Sequence, residues 1–156
     1  MSALRVLPLA LACAIAGGAD AQLKKAPSPA GGWSFATNVF RANCTLAGEM
    51  TVRETSAGAF SCSFQADWTC KAGPLRAVRT KQTCVATQSG DQLVVTSKLA
   101  KIVSADPADT MDWLNTAYAP DNFEVTINRR GDEMDGLFRS YDTAPVKFRR
   151  KGELIS

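Results

Sequence analysis

The chain has 156 residues, 46% of them hydrophobic, and its 18 Lys and Arg exceed its 15 Asp and Glu to give a net charge of +3. That balance is too mildly basic for nucleic-acid recognition. The absence of histidine removes His-based triads and the usual zinc and copper sites. The chain opens "MSALRVLPLALACAIAGGADAQ", with Arg5, an apolar run from Val6 to Ala16, and the small-residue end Ala19-Asp20-Ala21. Residues 1–21 read as a secretory signal cleaved before Gln22. The apolar run is too short to span a bilayer and no later run is longer, so no transmembrane segment is expected. Residues 22–30, "QLKKAPSPA", read as a flexible tether, and residues 31–156 as a single domain.

Segments with a two-residue period then follow one another, each with one dry and one wet face. Inward candidates in the first strand are Trp33, Phe35, Thr37 and Val39; in the second, Cys44, Leu46, Gly48, Met50 and Val52. The third strand, "AFSCSFQADWTC", places Phe60, Cys62, Phe64, Ala66, Trp68 and Cys70 on its dry face. The fourth turns Val78, Thr80, Gln82, Cys84 and Ala86 inward, and the fifth Leu93, Val95, Ser97 and Leu99. The stretch "SADPADTMDWLNTAYAPD" breaks the alternation and reads as a short helix, with Asp106 as its cap, Pro107 at its first position, and Met111, Leu114 and Tyr118 on one face. Three strands complete the chain, through Phe123, Val125 and Ile127, then Met134, Gly136 and Phe138, then Val146 and Phe148.

Turn positions fix the register of antiparallel neighbours. The turn at 55–58 sets Cys44 opposite Cys70, Gly48 opposite Ala66, and the turn at 71–74 sets Cys62 opposite Cys84, Ala66 opposite Thr80. Directly opposed cysteines have the short separation a disulfide requires. Two bridges, Cys44–Cys70 and Cys62–Cys84, are therefore expected, and with them a periplasmic or secreted location. The turn at "RRGD" pairs Ile127 with Met134, Val125 with Gly136 and Phe123 with Phe138. A turn at "YDT" pairs Phe138 with Val146 and Gly136 with Phe148. A tight turn at Ser89-Gly90 sets Gln82 opposite Ser97.

Eight sequential hairpin-linked strands form an all-β, eight-stranded antiparallel up-and-down barrel, with the short helix inserted between strands five and six. Closure also removes exposed edges. Gly31-Gly32-Trp33 is similar to the Gly-x-Trp opening of the lipocalins and the wider calycin barrels. That resemblance implies a basic residue late in the last strand packing over the tryptophan at the closed end, and Arg150 has the parity to do so. The resemblance concerns shape, and no binding residues come with it.

Chemistry is sparse. With the four later cysteines bridged, no thiol nucleophile remains, and no glycine loop for phosphate is present. Asp106, Asp109 and Asp112 lack the turn glycine and alternating oxygen ligands of a calcium loop. "GDEMD" reads as a wet hairpin. No catalytic residue, cofactor or metal is expected. Candidate ligand-wall residues are instead Gly48, Ala66, Thr80, Gln82 and Ser97: small or polar side chains on the inner face, which either leave a hollow for a small amphipathic ligand or are filled and bonded by neighbours. The helix lies over the mouth as a lid or as a plug completing the core. Lys147, Arg149 and Lys151 share the outer face of the last strand, with Arg129 and Arg130 nearby in sequence, and either meet an anionic envelope surface or simply face water. The expectation is a monomeric, exported, non-enzymatic barrel binding a small amphipathic ligand; the alternative is an inhibitor of a secreted or periplasmic hydrolase.

Overall fold

The computed structural model describes residues 26–152; the expected signal segment lies outside them. The eight strands are β1 (Gly31–Thr37), β2 (Cys44–Ser56), β3 (Ala59–Cys70), β4 (Ala77–Ser89), β5 (Gln92–Asp106), β6 (Asn122–Ile127), β7 (Glu133–Arg139) and β8 (Thr143–Arg150). A 3₁₀ turn at Ala108–Thr110 leads into one short helix, α1 (Met111–Ala117), between β5 and β6. Each strand pairs antiparallel with the next, and β8 pairs back onto β1, so the sheet is a closed up-and-down barrel.

Period two puts one side chain in two inside the barrel, and an eight-stranded barrel is just wide enough for such side chains to fill it. Phe35 stands at the centre, its ring 5.9 Å from Phe64, 5.2 Å from Phe123 and 5.1 Å from Phe148. Trp33, Leu46, Met50, Leu93, Val95, Met134 and Phe138 surround it, all fully buried. Burying each such side chain contributes on the order of 1.5–3 kcal/mol. A second, smaller cluster of Val78, Ile102 and Leu114 attaches α1 to the far ends of β4 and β5.

The β2–β3 and β3–β4 registers put Cys44 opposite Cys70 and Cys62 opposite Cys84, and both pairs are bonded. Two disulfides suggest a non-cytoplasmic compartment. Among the described residues no helix is long and apolar enough to cross a membrane. The β6–β7 pairing follows the expected register throughout.

Four details differ from the sequence reading. The β4–β5 turn is Gly90-Asp91, one residue later than expected, so Ser97 faces Cys84 and Gln82 faces Leu99. The β7–β8 turn centres on Tyr141, so Phe138 faces Ala144 and Gly136 faces Val146; a shift of two residues leaves every side chain on its original face. Val39 is 61% exposed, because β1 ends at Thr37 and the chain turns Phe40 inward against Trp68 and Phe138 instead. Asp106 does not cap the helix: it ends β5, and α1 starts without a side-chain cap.

The closed end is built around Arg150, which lies opposite Trp33 with its guanidinium carbon 4.4 Å from the indole centroid. Its three nitrogens also donate to the carbonyls of Gly131 at 2.6 Å, Ala30 at 2.6 Å and Ser28 at 2.8 Å. Trp33 Nε1 donates to the Pro29 carbonyl at 2.8 Å, and Gln88 Nε2 to that of Pro27 at 2.9 Å. Residues 27–30 of the expected tether therefore bond to the barrel through their carbonyls. Gly31 is required here twice over: its φ is +129°, and a Cβ would stand 2.6 Å from an Arg150 nitrogen.

Arg150→Ala removes a cation–π contact and three charge-assisted hydrogen bonds, and should lower the unfolding free energy by at least about 2 kcal/mol. Arg149 points outward to Glu133 at 3.7 Å, and Arg149→Ala should cost under about 0.5 kcal/mol. Urea denaturation of the two variants side by side measures the difference.

Candidate functional site

The five wall residues do face the interior, but neighbours occupy the space between them. A Cβ on Gly48 would meet the Phe35 ring at 2.6 Å and the Gln65 carbonyl oxygen at 2.1 Å, so this glycine makes room for a ring and a close strand rather than a hollow. Ala66 and Thr80 are fully buried beside it. Gln82 and Ser97 meet diagonally, with Ser97 Oγ 3.0 Å from Gln82 Oε1, and share a partner that the sequence reading missed.

That partner is Asp121. The β5–β6 ladder ends at Val95 opposite Phe123. Beyond it the strands part, the Ser97 N–H is taken by the Asn122 side chain at 2.8 Å, and the segment before β6 dips into the barrel. Ser97 Oγ donates to the Asp121 carbonyl at 2.7 Å. Gln82 clasps the same residue from both sides: its Oε1 accepts the Asp121 N–H at 3.0 Å and its Nε2 donates to Oδ2 at 2.5 Å. The second Nε2 proton reaches Thr80 Oγ1 at 3.1 Å. The Tyr118 hydroxyl completes the set, donating to Oδ2 at 2.7 Å. A buried amide needs partners for both its ends, and the inward Gln82 and Ser97 were the sequence signal that some polar group must come to them.

Asp121 is fully buried. Burial pushes its carboxyl up to about 6, against hydrogen bonds from Tyr118 and Gln82 that favour the ionised form. Burial, and then the neighbouring carboxylate, raise Tyr118, so it remains a donor throughout the physiological range. Asp121 Oδ1 and Trp68 Nε1 are buried without a hydrogen bond of ordinary geometry, although the indole lies near enough to favour the ionised carboxyl.

Above this polar floor, at the end opposite Arg150, the barrel mouth holds a cavity of about 430 Å³. Five aromatic side chains line it: Phe40, Trp68, Trp113, Tyr118 and Tyr141. The Cys44–Cys70 bridge, Val78, Leu114 of α1 and the 72–75 loop contribute the rest of the apolar wall. None of the five predicted wall residues lines it. Tyr118 belongs to both layers, its ring on the cavity and its hydroxyl on Asp121. Helix α1 buries Leu114 and leaves Trp113 58% exposed, so it completes one side of the mouth without filling it.

Elsewhere, the cations of the last strand are matched by acids. Lys147 lies 3.3 Å from Asp135, Arg149 3.7 Å from Glu133, and Lys151 2.8 Å from Glu49. That outer strip is close to neutral. Among the described residues no group of three His, Cys, Asp or Glu side chains is arranged to hold a metal.

No family model matches this chain, and no curated protein matches it. Among solved structures, a de novo designed fluorescence-activating β-barrel is similar at 16% identity and a TM-score of 0.43, covering 78% of this chain and 93% of the design.

Two measurements test this site. The raised carboxyl means that the folded protein holds a proton more tightly than the unfolded chain, so stability falls as pH rises through the window from about 4 to about 6. The loss should approach about 3 kcal/mol, and Asp121→Asn should abolish it, as read from urea unfolding at pH values on either side of the window. In the packed belt below, Ala66→Phe should overpack and cost about 1–3 kcal/mol, as read from the same denaturation.

Proposed function

We propose that this protein binds a small amphipathic molecule at the barrel mouth, without chemical turnover, in a periplasmic or secreted setting. The observation that carries the reading is the cavity itself. Its volume of about 430 Å³ falls in the range of small-molecule sites, which are mostly apolar with a few placed polar groups. The aromatic walls supply contact area at low conformational cost, and Tyr118 ties that wall to the polar floor through its hydroxyl bond to Asp121. Disulfide Cys44–Cys70 fixes two strands of the rim, so the site needs little ordering when a ligand enters. The ligand therefore sits above the predicted wall residues, with Thr80, Gln82 and Ser97 acting as support for the floor rather than as contacts.

The reading favours binding over catalysis because the buried carboxyl is engaged by Gln82 and Tyr118 and does not line the cavity. Titration calorimetry with 1-octanol as a neutral probe tests it. Ala72 is exposed and lines the cavity, so Ala72→Trp should fill the mouth from the loop side. We expect at least a tenfold loss of affinity, about 1.4 kcal/mol, with an unchanged melting temperature. Octanol binding that survives Ala72→Trp intact would place the ligand elsewhere.

A further inference from the structure

Asp121 presents an unusual charge problem. Its carboxyl is fully buried and, among the described residues, makes no ion pair. Every group that faces it is neutral: Trp68 from β3, Thr80 and Gln82 from β4, Ser97 from β5, Tyr118 at the end of α1, and Ser140 from the β7–β8 turn. Buried carboxylates are normally compensated by a cation. The mouth cavity adjoins Asp121: Tyr118 and Trp68 both line that cavity and both reach the carboxyl, Tyr118 by a hydrogen bond. One oxygen, Oδ1, makes no hydrogen bond of ordinary geometry, with the neutral Trp68 indole and Ser140 hydroxyl near the carboxyl.

The cavity walls suit the same kind of charge. Aromatic faces attract cations through their quadrupole, tryptophan and tyrosine most strongly, and five rings line this mouth. The rim carries one cation, Arg41, but it lies 3.7 Å from Asp142, so the rim pair is balanced. An anionic head would face Asp121 from above, while Arg41, the cation on the wall, is already paired with Asp142. A neutral head would leave the field of the carboxylate unanswered.

From this geometry we infer that the mouth of the barrel takes an aliphatic ammonium ion, its alkyl chain against the rings and its charged head over Tyr118 and Asp121. The inference deepens the reading of the mouth as an amphipath site and rests on it. The head lies beside the side chains that reach the carboxylate, between apolar walls where Coulomb attraction is screened less than in bulk water. Tyr118 transmits that preference through its hydroxyl bond, which turns the ring's polar end toward Asp121.

Three probes of equal chain length separate the possibilities: octylammonium, 1-octanol and octanoate, each titrated calorimetrically at pH 8 and at pH 5. At pH 8 octylammonium should bind at least tenfold more tightly than octanol, and octanoate more weakly than both. At pH 5, where Asp121 is largely protonated while the probe keeps its charge, the advantage over octanol should shrink to about threefold or less. Octanol itself should be unaffected by pH. Asp121→Asn should reproduce the pH 5 result at pH 8, and the wild-type pH series stands on its own if that variant folds poorly. Equal binding of the three probes, or a preference for octanoate, overturns the cation assignment and leaves the amphipath site standing. A cation preference that ignores both pH and Asp121→Asn overturns the role of Asp121. Failure of all three probes to bind overturns the cavity as a ligand site.

Discussion

The guanidinium of Arg150 is where three separate pieces of chain are joined. It rests on the Trp33 ring, and it donates to carbonyls of the N-terminal segment and of the β6–β7 turn. A barrel of sequential hairpins gets most of its pairings from local turns, which are inexpensive in loop-closure entropy. The β1–β8 seam has no turn to hold it and joins the two ends of the domain. Placing a cation–π contact and a set of charge-assisted hydrogen bonds at that seam puts the strongest polar interactions where the topology helps least. The other strand pairings, and the packing of Phe35 at the centre, rely on this closure.

The opposite end is organised by divergence. Where β6 stops following β5, backbone groups that would have paired are left over, and the barrel meets them with side chains: Asn122 caps Ser97, and Ser97 and Gln82 hold Asp121. This exchange brings a carboxyl into the interior at the cost of desolvating it. It also fixes the 118–121 segment that carries Tyr118 to the cavity. The site is therefore a product of an interrupted ladder, and the polar residues beneath it are its framework.

Much of the fold was legible because alternation and turn chemistry are local. The positions of Gly58 and Gly131 set the β2–β3 and β6–β7 registers, and both cysteine pairs followed from their own turns. The β4–β5 register was harder: its tight turn lies one residue further on, and two irregularities near Thr80 and Gln82 alter the count along the strand. Such bulges carry no reliable signature in one sequence. The site was legible only in outline. Thr80, Gln82 and Ser97 are visible as polar side chains on a dry face that need partners, and the structure supplies them from one another and from Asp121. Asp121, in the turn-like "YAPDN", has the composition of a solvated loop. Its burial comes from tertiary divergence of two strands, which no local pattern encodes.

The seating of residues 27–30 on the Arg150 end has a geometric consequence. The described chain enters at Pro27 beside Gln88 and Gly131 and leaves beyond Lys151, which bonds back to Gly32, so both ends emerge from the same pole of the barrel. The mouth lies at the other pole, about 20 Å away by the rise of a six-residue strand. A partner joined directly at either end of the described chain, at residue 26 or 152, would thus hold the barrel like a cup by its base. Attachment at either of those two positions would leave the rim of Trp113 and Tyr141 at the far pole, facing outward.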